Sequence, residues 1–238
     1  MRRSKLVDLQ AAVATVGDGD HVALGGLWNH NAPCALVREL VRLGRRELTL
    51  SAGPAAGVAV DLLIAGGGVA RAHLANVTFE HLGLAPAFRR AVESGALELI
   101  ESDEASLIGG FRAAAAGLAF QPVRSIAGSA LEAVRPDLAG GRVPALQPDV
   151  VFLHAQEGDA FGNLRHFGSV FADRVLAKAA QRAVVASVDR LVDNDEIRRD
   201  PRATTIPSYL VTHVVEAPGG ARPGSSHGLY EIEEAAFA

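Results

Sequence analysis

Short apolar runs alternate with amphipathic stretches along the first half of the chain, and the amphipathic stretches repeatedly close on glycine. "HVALGG" (21–26), "ELTLSA" (47–52), "VARAHLANV" (69–77) and "ALELIE" (96–101) have strand length and strand patterning. Between them lie a helix after Pro33 with Leu36, Val37, Leu40 and Val41 turned inward, "VAVDLLIAGG" (58–67) and "APAFRRAVESG" (85–95). A helix over "DEASLIGGFRAAAAGL" (103–118) follows. Strictly alternating strands and helices can bury both faces of each strand only in a mainly parallel sheet clad on both sides. The expected fold class is therefore α/β, an open, mainly parallel sheet with helices on both faces. A leading helix carrying Leu6, Leu9, Val13 and Val16, capped by Ser4, precedes the first strand. Later, "DVVFLHA" (149–155), "RAVVASV" (182–188) and part of "IPSYLVTHVVEAP" (206–218) read as strands, and "SVFADRVLAKAA" (169–180) as a helix. "SALEAVRPDLAGGRVPALQP" (129–148) has the turn chemistry of a surface loop. No repeat or linker divides residues 1–238, so one domain is expected.

Composition narrows the function. Hydrophobic residues make up 49% of 238, enough for a substantial core. A net charge of −4 without a basic cluster argues against a nucleic-acid partner. Cys34 is the only cysteine, which excludes an internal disulfide, and no Cys/His spacing of a zinc site is present. No apolar run reaches membrane-spanning length, and Asp8 and Gln10 interrupt the basic start before a secretory apolar region forms. A cytoplasmic protein with no membrane attachment is expected.

Ligands of open parallel sheets bind beyond the carboxyl ends of the strands. Gly25 and Gly26 fall at such an end, in "VALGGLWNHNAP" (22–33). They read either as a tight turn or as backbone cleared so that N–H groups face a carbonyl or phosphate oxygen. Glu80, in "FEHLGLAP", and Glu101, in "ELIESDEAS", also follow strands. Each is either a solvated loop acid or a carboxylate able to act as nucleophile or general base. Ser102 is placed to cap the next helix, which puts Asp103 and Glu104 in its first turn. His154 ends a buried strand and reads either as a site-lining residue or as part of a mainly structural segment; Asp159, Gly162 and Asn163 beyond it are turn formers. Ser4, Ser51 and Ser187 have no neighbouring His/Asp arrangement that suggests a triad. Gly66–Gly68 reads as a helix stop, because a strand follows it and none precedes it.

Taken in order, "DGDHVALGGLWNHNAP", "VDLLIAGGGVARA", "FEHLGLAPAFRRAVESGALELIE", "AAAAGLAFQPVRS", "PDVVFLHAQEGDAFGN" and "IPSYLVTHVVEAPGGARP" resemble the α subunit of family I CoA-transferases, most closely the glutaconate type. Leu27 and Asn31 stand where the family signature has Phe and Gly, which alters the substrate loop. The resemblance implies acyl transfer between CoA and a carboxylic acid, with a coenzyme A thioester as substrate and no permanently bound cofactor. It implies a β subunit of the same fold, in a heterodimer or α2β2, carrying the nucleophilic glutamate. Gly25 and Gly26 would then make room for the acyl group while Asn29 and Asn31 orient it, and Glu80 would sit at the pseudo-equivalent of the nucleophile's place. "ESDEASLIGGFRAAAAGLAFQPVRSIAGSA" is also similar to the α subunit of steroid-ring CoA hydrolases, in which the matching Glu101 would be catalytic. A third possibility is a non-catalytic sensor of acyl-CoA or sugar phosphates on the same broad fold.

Overall fold

The computed structural model describes residues 3–168 and 170–237. In chain order the elements are α1 (Leu9–Val13), β1 (His21–Leu24), α2 (Cys34–Leu43), β2 (Leu48–Ala52), α3 (Val58–Ala65) and β3 (Val69–Leu74). Then come α4 (Pro86–Glu93), β4 (Glu98–Glu101), α5 (Glu104–Ala115), β5 (Phe120–Pro122), α6 (Ala130–Val134) and β6 (Arg142–Pro144). The chain finishes with β7 (Val150–Gly158), β8 (Leu164–Arg165), α7 (Asp173–Ala179), β9 (Ala183–Leu191), α8 (Asn194–Arg199) and β10 (His213–Glu216). The main sheet runs β10-β9-β7-β1-β2-β3-β4 and is parallel throughout, with the short β8 antiparallel to β7. This is the expected α/β architecture.

Alternation along the strands sorts the core into two layers. Val22, Leu24, Leu50, Ala72, Val150 and Phe152 face one side and pack with α1, α2, α3 and α4. Ala23, Val151, Leu153, Val184 and Ala186 face the other and pack with α5 and α7. All nine residues of β7 are buried, as expected of a central strand covered on both faces. Each large apolar side chain buried here contributes roughly 1.5–3 kcal/mol.

The helix ends follow their sequence signals with some shifts. Gly44 closes α2 in the left-handed conformation at φ 67°, and Pro86 opens α4. Val41 is 36% exposed rather than inward. The leading helix is shorter than its spacing predicts: Leu6 is extended and bridges Val214, and Asp8 rather than Ser4 caps α1 by accepting from the Ala11 N–H. At α5 the cap is Asp103, not Ser102. Asp103 accepts from the Ser106 N–H and the Ser106 hydroxyl accepts from the Asp103 N–H, a reciprocal box that Ser102 cannot form. The predicted surface loop at 129–148 is ordered. It holds α6 and β6, and β6 pairs antiparallel with β5 around a small core of Ile126, Leu138 and Val143. The helix predicted from residue 169 starts at Asp173; Ser169 itself lies outside the described residues.

Candidate active site

The loops leaving the carboxyl ends of β1, β2 and β3 are tied to one another. The Trp28 N–H donates to the Ala55 carbonyl at 2.6 Å, and the Thr78 N–H donates to the Ala56 carbonyl at 3.1 Å. Four residues other than glycine in these loops adopt positive φ: Trp28 (49°), Asn31 (52°), Ala55 (66°) and Glu80 (61°). Left-handed backbone is costly outside glycine, and its concentration on one rim of a sheet is characteristic of functional sites.

Glu80 lies at the centre of this rim, with its side chain 22% exposed. Asn29 Nδ2 donates to Glu80 Oε2 at 3.2 Å, and His30 Nε2 lies 3.3 Å from the same oxygen. Behind them, His30 Nδ1 is 2.6 Å from Ser225 Oγ, and Asn29 Oδ1 accepts from the Val58 N–H at the start of α3. Asn31 points inward, where Gln156 Nε2 donates to its Oδ1 at 2.7 Å. Asn29 and Asn31 are 0% and 2% exposed. The structure thus brings Glu80, Asn29, Asn31 and the glycine bend together, with both asparagine side chains committed to the protein.

Of the two sequence readings of the glycine bend, the structure agrees with the tight turn. The Gly25 N–H donates to the Phe152 carbonyl at 2.9 Å, and the Gly26 N–H donates to Asp173 Oδ1 at 2.8 Å. Neither faces an open space. A Cβ on Gly25 would fall 2.6 Å from both Asp173 Oδ1 and a Leu153 methyl, and one on Gly26 would meet the carbonyls of His30 and Asn31 at 2.9 Å. The cleft beneath the bend measures about 10 Å³, room for at most one water. The glycines are bare because the chain's own carboxylate and its own loop occupy the space assigned from sequence to an acyl group. Gly25→Ala is therefore expected to cost about 1–3 kcal/mol by overpacking, read as a lower urea midpoint.

His154 lies within β7 rather than at its end, and it is fully buried. Its Nδ1 is 2.9 Å from Ser187 Oγ and its Nε2 is 3.0 Å from Asp189 Oδ2. Ser187 meets His154, whose other ring nitrogen meets Asp189, a Ser–His–Asp arrangement the sequence reading did not find, and all three are buried. Asp189 also accepts from the Gly219 N–H (2.8 Å), the Ser226 hydroxyl (2.6 Å) and the Tyr230 hydroxyl (3.1 Å). These bonds pin residues 219–230 across the sheet as a strap, and Ser225 of that strap holds His30. Asp189, Gln156, Asp173 and Ser225 escaped the sequence reading, since each acts on partners at least 30 residues away.

Glu101 ends β4, the outer strand of the sheet, and is exposed. Arg135 donates to its backbone carbonyl at 2.6 Å, while its carboxylate has no hydrogen bond or ion pair among the described residues. No hydrogen bond or ion pair joins it to Glu80, Asn29 or His30 among the described residues. Among the described residues no group of His, Cys, Asp or Glu is arranged to hold a metal ion, and no helix is long and apolar enough to cross a membrane.

An open parallel sheet with a strained, carboxylate-bearing rim defines an α/β protein with a candidate site at its strand ends, and comparison makes the family specific. Residues 6–217 match the family model described as Coenzyme A transferase, and the chain belongs to that family. It is 33% identical to the A subunit of glutaconate CoA-transferase from Acidaminococcus fermentans over 97% of this chain and 80% of that protein. The crystal structure of that enzyme superposes with a TM-score of 0.89 at 32% identity, covering 98% of this chain and 82% of that one. The cholesterol ring-cleaving hydrolase IpdA subunit of Mycobacterium tuberculosis is 33% identical over 91% of this chain and 80% of its own length. An uncharacterized protein of Archaeoglobus fulgidus is 35% identical over 97% of this chain, which spans only 54% of that protein.

Proposed function

We propose that the chain is the α subunit of a heteromeric acyl-CoA transferase that moves CoA between an acyl-CoA and a carboxylic acid in the cytoplasm. The observation that carries this reading is the closed polar frame at the glycine bend. With the Gly26 N–H held by Asp173 and the Asn29 and Asn31 side chains bonded within the protein, the chain supplies a restrained carboxylate, Glu80. A β subunit of the same fold would complete the site and bring the nucleophilic glutamate. That carboxylate attacks the thioester carbon, the C–S bond breaks, and CoA leaves as thiolate. The thiolate then attacks the glutamyl carbonyl of the anhydride, releasing the first acid and leaving a glutamyl-CoA thioester for the acceptor acid to reverse. In this chain Glu80, fixed by Asn29 and His30, is assigned to positioning at the shared site.

The test is CoA exchange between an acyl-CoA and a free acid. The chain with its β partner is expected to exchange and the chain alone to be inactive. Glu80→Gln in the complex is expected to lower exchange about tenfold, the loss of one hydrogen bond to a charged group. Undiminished exchange would remove Glu80 from the site.

One observation favours a second reading, a CoA-thioester hydrolase. Glu101 is exposed and unpaired among the described residues, a carboxylate available to water or substrate. If hydrolysis is the reaction, Glu101→Gln abolishes it; if transfer is, Glu101→Gln leaves exchange largely intact.

A further inference from the structure

Glu80 has φ 61°, and left-handed backbone at a residue with a side chain persists only where its surroundings hold it there. The turn that carries it is short. Glu80–Leu82 is a single 3-10 turn. It is closed by the Phe79 N–H, which donates to the Gly83 carbonyl at 2.8 Å, and by the Thr78 hydroxyl, which donates to the same carbonyl at 3.1 Å.

A distant part of the chain supplies a further hold. A second 3-10 turn, Glu234–Phe237, lies against the first. The Phe237 ring meets Phe79 edge to face, with centroids 5.0 Å apart and ring planes at 76°. Glu234 Oε1 is 3.6 Å from His81 Nε2. Phe79 and His81 are the chain neighbours of Glu80, so the second turn touches the strained residue's backbone on both sides. The two contacts differ in weight. The Glu234 and His81 side chains are each 66% exposed, where an ion pair contributes little. Phe79 is buried in the core and Phe237 packs on that core, where a ring pair contributes beyond the area it buries.

The same segment reaches the Glu80 carboxylate by another route. Glu233 pairs with Arg222, and its N–H donates to the Pro223 carbonyl at 2.8 Å, which fastens the second turn to the strap. Ser225 of the strap meets His30, whose other ring nitrogen faces Glu80 Oε2. Residues 219–237 therefore reach Glu80 twice, at the carboxylate through His30 and at the backbone through Phe79.

We propose that Phe237 is a positioning residue for Glu80. Its ring, seated on Phe79, holds the left-handed turn that keeps the carboxylate on Asn29 and His30. This rests on the reading that places Glu80 at the shared acyl-transfer site.

Two measurements separate the clasp from that reading. In the full chain labelled with nitrogen-15, the Asn29 side-chain amide reports its bond to Glu80 by NMR without substrate. In Phe237→Ala its signal is expected to move toward the position it takes in Glu80→Ala, and in Phe237→Tyr, which keeps the ring, to stay in place. In the complex with the β subunit, Phe237→Ala is expected to lower kcat/KM for CoA exchange about fivefold, and Phe237→Tyr to restore it. Added to Glu80→Gln, Phe237→Ala is expected to cause no further loss, because both changes act on one carboxylate. A contact that only stabilised the fold would lower exchange by the same factor in either background. An unmoved Asn29 signal in Phe237→Ala, or equal loss in both backgrounds, overturns the proposal. If Glu80→Gln leaves exchange undiminished, the placing of Glu80 at the shared site fails, and a moved Asn29 signal still upholds the clasp. Phe237→Leu, which loses the ring and keeps apolar bulk, serves for both measurements if Phe237→Ala does not fold, with an expected loss of about twofold.

Discussion

Asp189→Ala is expected to lower the free energy of unfolding by about 3–5 kcal/mol, the usual result of removing one partner from a buried charged network. Asp189 is 5% exposed and gathers His154, Ser226, Tyr230 and the Gly219 N–H around one carboxylate. Burial alone would raise its pKa, but the bonds from His154, Ser226 and Gly219 outweigh it and hold the group below the usual aspartate value. The stabilisation is thus present above about pH 4 and is lost as pH falls through the lowered folded pKa. Urea unfolding at neutral pH measures the loss. Amide exchange at Gly219 and Ser225 should accelerate ahead of the sheet, because the strap is what Asp189 holds. Slow exchange there in the variant would show that the strap is anchored some other way.

The second large effect comes with mild acid. His21 and His73 stack at 6.1 Å, and both have pKa values lowered from 6.5 to about 4. Burial is the main cause for each. For His21 the charge of His73 adds to it, and for His73 the charges of Arg135 and Arg71 do. Both rings are neutral in the fold, whereas the unfolded chain binds a proton at each below pH 6.5. Stability is therefore expected to fall as pH drops from about 6.5 to about 4, by on the order of 3 kcal/mol for each histidine. Below that window both states are protonated and this loss stops. Urea midpoints at pH 7 and pH 5 give the slope, and His73→Gln should flatten it. A profile level between those two values would mean that the histidines are solvated.

Which parts of this molecule could be read from sequence follows from the range of the interactions that fix them. Gly44, Pro86 and the alternating runs of β1 to β4 act on their immediate neighbours, so strands, helices and the parallel sheet were legible. The 129–148 segment was not, because its order depends on three buried residues, Ile126, Leu138 and Val143, with no periodicity between them. β9 runs on to Leu191, although Asp189 looks like the start of a loop; its charge is met by partners at least 30 positions away, His154, Gly219, Ser226 and Tyr230. The glycine bend reads as either a tight turn or backbone cleared for a ligand, and it is a tight turn. Its neighbour, however, is Asp173, 147 residues downstream, and nothing near Gly26 announces it. Glu80 is singled out by its place after a strand, and Asn29 and Asn31 by the family resemblance. Their mutual bonds became visible only in three dimensions.

The strap also sets an order in time. Ser225 holds His30 across 195 residues of chain. At ribosomal speeds of roughly 5–20 residues per second, the His30 loop would emerge about 10–40 s before the residue that fixes it. A nascent polypeptide stalled short of Gly224 could assemble most of its sheet and still lack a finished rim, which closes only once residues 219–230 have emerged.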